Sequence, residues 1–160
     1  MRKGILAVLS GLAGAITAGT LIGRLEMKNT EKQKEFADKH LVIIKDMNQW
    51  LILKQKGITL KPFFTERGYQ KVAIYGMSFL GERLYDDLKE IGVETAYGID
   101  KNAARIYSEI DVWTPDEELE SVDAIIVTSA YYFGEIEDVL KKKVSCDIVS
   151  LEDILYEVDN

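Results

Sequence analysis

The sequence predicts an α/β protein: a small, doubly wound parallel sheet of five strands in the order 3-2-1-4-5, preceded by an N-terminal transmembrane helix and a helical stalk. Three observations carry this expectation. Short apolar runs alternate with helical patterns across the last 90 residues, separated by short connections, which is the signature of a parallel sheet. The first of these runs ends in a glycine-bearing turn, Gly76 to Gly81, that leads straight into a helix. At the other end of the chain, Gly4 to Gly23 carries no charge, and no proline or glycine interrupts residues 24–56.

The N-terminal run, residues 1–23, reads as a membrane anchor. At about 1.5 Å per residue its 20 uncharged residues just span a hydrocarbon core of about 30 Å. Ala7, Gly11, Ala15, Gly19 and Gly23 recur every four positions and share one helix face, the small-residue spacing that lets two membrane helices approach closely. A cleaved signal peptide is the rival, with Ile16-Thr17-Ala18 as its small-residue site. The uncharged run continues past Ala18, which favours the anchor. Arg24, Lys28, Lys32, Lys34 and Lys39 follow it, against Arg2 and Lys3 before it, so the C-terminal bulk is expected on the cytoplasmic side of the cell membrane.

Residues 24–57 read as one long stalk helix. Phe36, His40, Ile43, Ile44, Met47, Trp50 and Leu51 follow a three-four spacing. Phe36, Ile43 and Trp50 are seven apart, so the stripe suits either a short parallel coiled coil in a homodimer or packing on the protein's own domain. His40 is expected to be a partly buried helix residue rather than a ligand. Gly57 ends the helix, and residues 58–160 form the domain. A short helix at Thr59–Gly68 would dock Leu60, Phe63 and Phe64 on the sheet.

The alternation then runs in order. The first strand is Val72–Tyr75, and the first helix is Phe79–Ile91, apolar at Leu80, Leu84, Leu88 and Ile91. The second strand is Glu94–Ile99, followed by a turn at Ala103–Ser108 and a short third strand at Asp111–Trp113. Thr114-Pro-Asp-Glu117 matches a capping box with proline at the first helical position, which predicts a helix after it. The fourth strand is Ala124–Thr128, a helix covers Phe133–Lys142, the fifth strand is Asp147–Val149, and Ser150 opens the last helix.

Charge and composition exclude some functions. Residues 1–67 carry 12 Lys and Arg against 6 Asp and Glu, whereas residues 68–160 carry 8 against 21. An acidic domain repels a nucleic-acid backbone. A single histidine, His40, and a single cysteine, Cys146, leave too few ligands for an ordinary zinc site and no pair for an intrachain disulfide.

In a 3-2-1-4-5 sheet the ligand crevice lies at the C-terminal ends of strands one and four. The candidate cofactor-binding residues are Gly76, Met77, Ser78, Phe79, Leu80 and Gly81 in the first turn, Asp100, Lys101 and Asn102 at the end of strand two, and Thr128 and Ser129 at the end of strand four. Backbone N–H groups at the helix start would attract a phosphate, and Asp100 is placed to take ribose hydroxyls. The dinucleotide fingerprint Gly-x-Gly-x-x-Gly is interrupted, because Ser78 stands where the middle glycine admits a pyrophosphate. No catalytic group accompanies the turn: Tyr85–Lys89 and Tyr97–Lys101 match Tyr-x-x-x-Lys in the wrong places, and Asp86 and Asp87 read as solvated helix surface.

The runs Lys71-Val-Ala-Ile-Tyr-Gly-Met-Ser-Phe-Leu-Gly-Glu-Arg-Leu-Tyr-Asp-Asp-Leu and Tyr97-Gly-Ile-Asp-Lys-Asn102 resemble the small Rossmann-like domains of bacterial surface-polysaccharide proteins. Among these are nucleotide-sugar-binding domains of sugar acetyltransferases and domains fused to glycosyl or phosphoglycosyl transferases. The resemblance covers about residues 70–155 and implies a nucleotide or nucleotide-sugar held at Gly76–Gly81 and Asp100–Asn102, with a glycosyltransferase as partner. It leads to a membrane-anchored, non-catalytic binding module as the expected function. An NAD(P)-dependent oxidoreductase subunit and a ligand-free scaffold are the alternatives.

Overall fold

The computed structural model describes residues 30–159, so the expected membrane segment lies outside the described residues. Among those described, no helix is long and apolar enough to cross a membrane. The chain divides into two units after His40.

Residues 30–56 are helical and form α1. In the first unit, His40 is exposed rather than partly buried, and its Nδ1 lies 2.7 Å from the Phe36 carbonyl oxygen.

The second unit holds the sheet. After α1 come α2 (Lys61–Arg67), β1 (Lys71–Tyr75), α3 (Phe79–Ile91), β2 (Glu94–Ile99), β3 (Val112–Trp113), β4 (Ala124–Val127), α4 (Phe133–Leu140), β5 (Asp147–Ser150) and α5 (Leu151–Glu157). The five strands are all parallel, in the order β3-β2-β1-β4-β5. β1 and β4 are central, and every residue of Val72–Tyr75 and Ala124–Val127 is buried. A parallel strand covered on both faces needs such an unbroken apolar run.

One face of the sheet is covered by α1, α2, α3 and α5. There Val72, Ile74, Ala124 and Ile126 pack with Trp50, Leu53, Phe63, Phe64, Leu84, Leu88 and Ile154. The other face is thinner. Ala73, Tyr75, Tyr97, Ile99, Ile125 and Val127 pack with Ile136 and Leu140 of α4. The β1–β2 register slips between Val72 and Ala73, where Thr95 and Tyr97 become the successive partners. That bulge turns Tyr97 onto this second face, where it stacks on Trp113 with ring centroids 4.3 Å apart.

Two sequence expectations change here. No helix follows Thr114. Its N–H and Oγ1 do donate to Glu117 Oε1, at 2.6 and 2.9 Å, but the chain makes only a turn. Leu119 is the one apolar residue in Asp116–Ser121, so a helix there would have nothing to bury. The crossover is held instead by Tyr97, whose hydroxyl donates to the Glu120 carbonyl at 2.6 Å. The apolar stripe of α1 is also split. Ile43 and Trp50 face the core with Leu53, whereas Ile44, Met47 and Leu51 are exposed. Asp46 and Gln49 take buried places on the core side.

Candidate functional site

The site is built around the turn that leaves β1. Gly76 adopts φ +96°, and a Cβ there would lie 2.5 Å from Thr128 Oγ1, so only glycine fits. Its N–H donates to the Ile99 carbonyl at 2.8 Å, and its own carbonyl accepts from Thr128 Oγ1 at 2.7 Å. The ends of β2 and β4 thus clamp the turn from both sides.

Asp100 completes the clamp. Its Oδ2 accepts the Met77 N–H at 3.1 Å and its Oδ1 accepts the Asn102 N–H at 2.8 Å. The carboxylate is therefore fixed in orientation beside the glycine turn, with a further lone-pair position on each oxygen. The Tyr75 phenol below it is pushed up by burial first, then by the carboxylates of Asp100 and Asp116.

The Met77 side chain is buried against Gly98, where a Cβ would approach its Cγ to 2.6 Å. Gly98 thus belongs to the site as the position that admits Met77. A glycine inside an apolar strand is the sequence signal for such a close approach. Gly81 packs on the Gly76 carbonyl oxygen, which a Cβ would meet at 2.3 Å. Leu80 is buried in the core.

Ser78 and Phe79 point the other way. Ser78 is exposed and extended, and it starts α3 without a capping hydrogen bond from its side chain. The amides of the first helical turn have no intrahelical acceptor, and they open beside it. Phe79 is 77% exposed. Lys101 and Asn102 are exposed, and Ser129 is half-buried.

The structure thus brings Gly76, Met77, Asp100 and Thr128 into direct contact, with Ser78 and Ser129 on the two lips. It leaves Phe79 and Lys101 facing solvent. A shallow groove of about 150 Å³ runs beside the turn, lined by Met77, Arg83, Tyr107 and Glu109 among others. Asp100, Thr128 and Ser129 do not line it.

Two of the turn's amides, Gly76 and Met77, are committed within the protein, and the second is held by an anion. A pyrophosphate lying deep in the turn would meet the Asp100 carboxylate, a repulsion that low local dielectric strengthens. The groups left for a ligand are the α3 start, the Ser78 hydroxyl and the outer lone pairs of Asp100. They suit one phosphate on the helix and a pair of hydroxyls on the carboxylate. Cys146 is half-buried beside the second core, and burial raises its thiol pKa, the opposite of an activated nucleophile. Asp87 is not solvated surface: it accepts the Trp50 indole N–H and pairs with Lys54.

No protein-family model, curated protein or solved structure matches this chain.

Proposed function

We propose that the sheet unit is a non-catalytic Rossmann-like module that binds a nucleotide or nucleotide-sugar. The observation that carries this reading is the Asp100 carboxylate, pinned by two backbone N–H groups beside the uncapped start of α3. A fixed acceptor pair next to free amide donors is the arrangement a sugar hydroxyl pair and a phosphate need. The membrane tether through residues 4–23, with the domain on the cytoplasmic side, is supported by the uncharged run and the Lys and Arg that follow it. The surface-polysaccharide setting, with a glycosyltransferase partner, is supported by the resemblance of Lys71–Leu88 and Tyr97–Asn102 alone.

A second reading, a ligand-free scaffold, is favoured by one specific observation. The Gly76 and Met77 amides, which would cradle a pyrophosphate, are already bonded to Ile99 and Asp100.

Titration calorimetry of the full chain in detergent micelles separates the readings. UDP-, GDP- and CDP-sugars, NAD and NADP are each titrated in turn. The proposal expects saturable binding of a sugar nucleotide, weakened roughly ten-fold or more in Asp100→Ala by loss of hydrogen bonds to a charged acceptor. Binding of NAD or NADP alone would point to the oxidoreductase alternative. Silence from all five, in the wild type and in Ser78→Gly, would establish the scaffold. N-terminal sequencing of the membrane-extracted chain tests the tether: a start at Gly19 would replace the anchor by a cleaved signal.

A further inference from the structure

The second unit's part of α1 has two apolar faces, and the domain uses one. Ile43, Trp50 and Leu53 point inward, together with the buried Asp46 and Gln49. Leu41, Ile44, Met47 and Leu51 are 50%, 62%, 49% and 56% exposed, and Asn48 between them is exposed too. At about 100° per residue the centres of the two faces lie roughly 160° apart. The outer face is therefore a separate stripe, not the ragged edge of the buried one.

Its spacing is that of a coiled coil. Leu41, Ile44, Asn48 and Leu51 are separated by three, four and three residues, which places Leu41 and Asn48 at a and Ile44 and Leu51 at d, with Gln55 at the next a. In this register Ile43, Asp46, Trp50 and Leu53 fall at c and f, the positions a coiled coil leaves outside its seam. The helix thus satisfies its own domain and a partner helix at once. The seam through Phe36, Ile43 and Trp50 is unavailable, because Ile43 and Trp50 are spent on the core.

We infer that this stripe is the contact surface for a second copy of the chain, paired parallel and in register. Three features select that occupant. A single asparagine at an a position, flanked by apolar d positions, is the device by which paired identical helices set register, each amide bonding its mate. The 29 residues before Thr30 include the uncharged stretch 4–23, read from the sequence as a membrane anchor, with small residues at positions 7, 11, 15, 19 and 23. Two chains entering one membrane in the same sense would present their α1 helices side by side and parallel. This inference rests on the proposed membrane tether and not on the ligand.

The test uses the full chain in detergent micelles. Analytical ultracentrifugation is expected to give a dimer, and Ile44→Asp with Leu51→Asp a monomer. Because both side chains are exposed in the single chain, the variant's helical circular dichroism and melting temperature should stay close to those of the wild type. Gln55→Cys in a Cys146→Ser background gives an independent readout. Parallel in-register pairing expects it to form a disulfide-linked dimer under mild oxidation, whereas Glu66→Cys, exposed on α2, does not. A monomeric wild type would overturn the inference. So would a double-aspartate variant that remains dimeric, which would assign pairing to the anchor, or a dimer whose Gln55→Cys form fails to cross-link.

Discussion

The Trp50 indole N–H donates to Asp87 Oδ2 at 2.8 Å, and Lys54 Nζ reaches Asp87 Oδ1 at 2.8 Å from the next turn of α1. One carboxylate on α3 thereby receives two groups from α1, so the helix before the sheet is held by a directional bond as well as by Trp50 and Leu53. Trp50→Phe keeps most of the ring and removes the donor. It is expected to cost about 1–3 kcal/mol, the range for a hydrogen bond to a charged acceptor. A double-mutant cycle with Asp87→Ala, followed by urea denaturation, should return a coupling energy near that loss. Additive single effects would mean that the bond contributes nothing.

Asp46 is fully buried on the core side of α1, and neither carboxylate oxygen has a hydrogen-bond partner. Burial raises its pKa from 3.8 to about 6, with Glu152 adding to the effect. A raised carboxyl pKa means that the folded state binds the proton more tightly than the unfolded one. The associated stability is fully present below the unfolded value and is lost as pH rises through about 6. At neutral pH the ionised group costs about 3 kcal/mol on the usual linkage of pKa to free energy. Asp46→Asn should therefore raise the melting temperature at pH 7 and have little effect at pH 3.5. An equal effect at both pH values would contradict a buried ionised carboxylate.

Gly81 and Ser78 flank the same turn and should answer oppositely to substitution. A methyl at 81 would lie 2.3 Å from the Gly76 carbonyl oxygen, a backbone atom that cannot swing away. Gly81→Ala is expected to destabilise by about 1–3 kcal/mol through forced separation of α3 from β1. Ser78 is exposed, has φ −93° and makes no capping bond, so Ser78→Gly should change stability by about 1 kcal/mol or less. Chemical denaturation of the two variants checks the contrast. A tolerated Gly81→Ala would show that the turn is looser than the packing implies.

Asp123 ties the lower ends of the two central strands together. Its Oδ2 accepts the N–H groups of Gln70 and Lys71, each at 2.8 Å, and these bonds hold its carboxyl below the ordinary carboxylate range. A lowered folded pKa contributes stability above the unfolded value near 3.8, and that contribution fades as pH falls through the folded pKa. Asp123→Ala should lower the melting temperature at pH 7, and the gap to wild type should narrow in acid. This is the reverse of the trend at Asp46, so the two variants measured side by side control for each other.

Strand order, parallel pairing and the place of the glycine turn were legible in the residues because they are encoded locally. Apolar runs such as Val72–Tyr75 and Ala124–Val127, punctuated by Gly76 and Gly92, dictate strand, turn and helix within a few residues, and short alternating connections permit little but a parallel sheet. The helix expected after Thr114 fails although its capping bonds form, because Asp116–Ser121 offers Leu119 alone as an apolar residue to bury, and a local capping signal does not report that shortage. The two faces of α1 were equally invisible in sequence, because an apolar stripe says that a helix is buried somewhere and not against what. Contacts across 37 and 106 positions, Trp50 with Asp87 and Gln49 with Leu155, decide that Ile43 turns inward and Ile44 outward. At the site, sequence spacing brought Asp100 opposite Gly76. Only the tertiary structure placed its carboxylate on the Met77 N–H, because that bond depends on the pairing that sets Ile99 beside Tyr75, so that both strands end together.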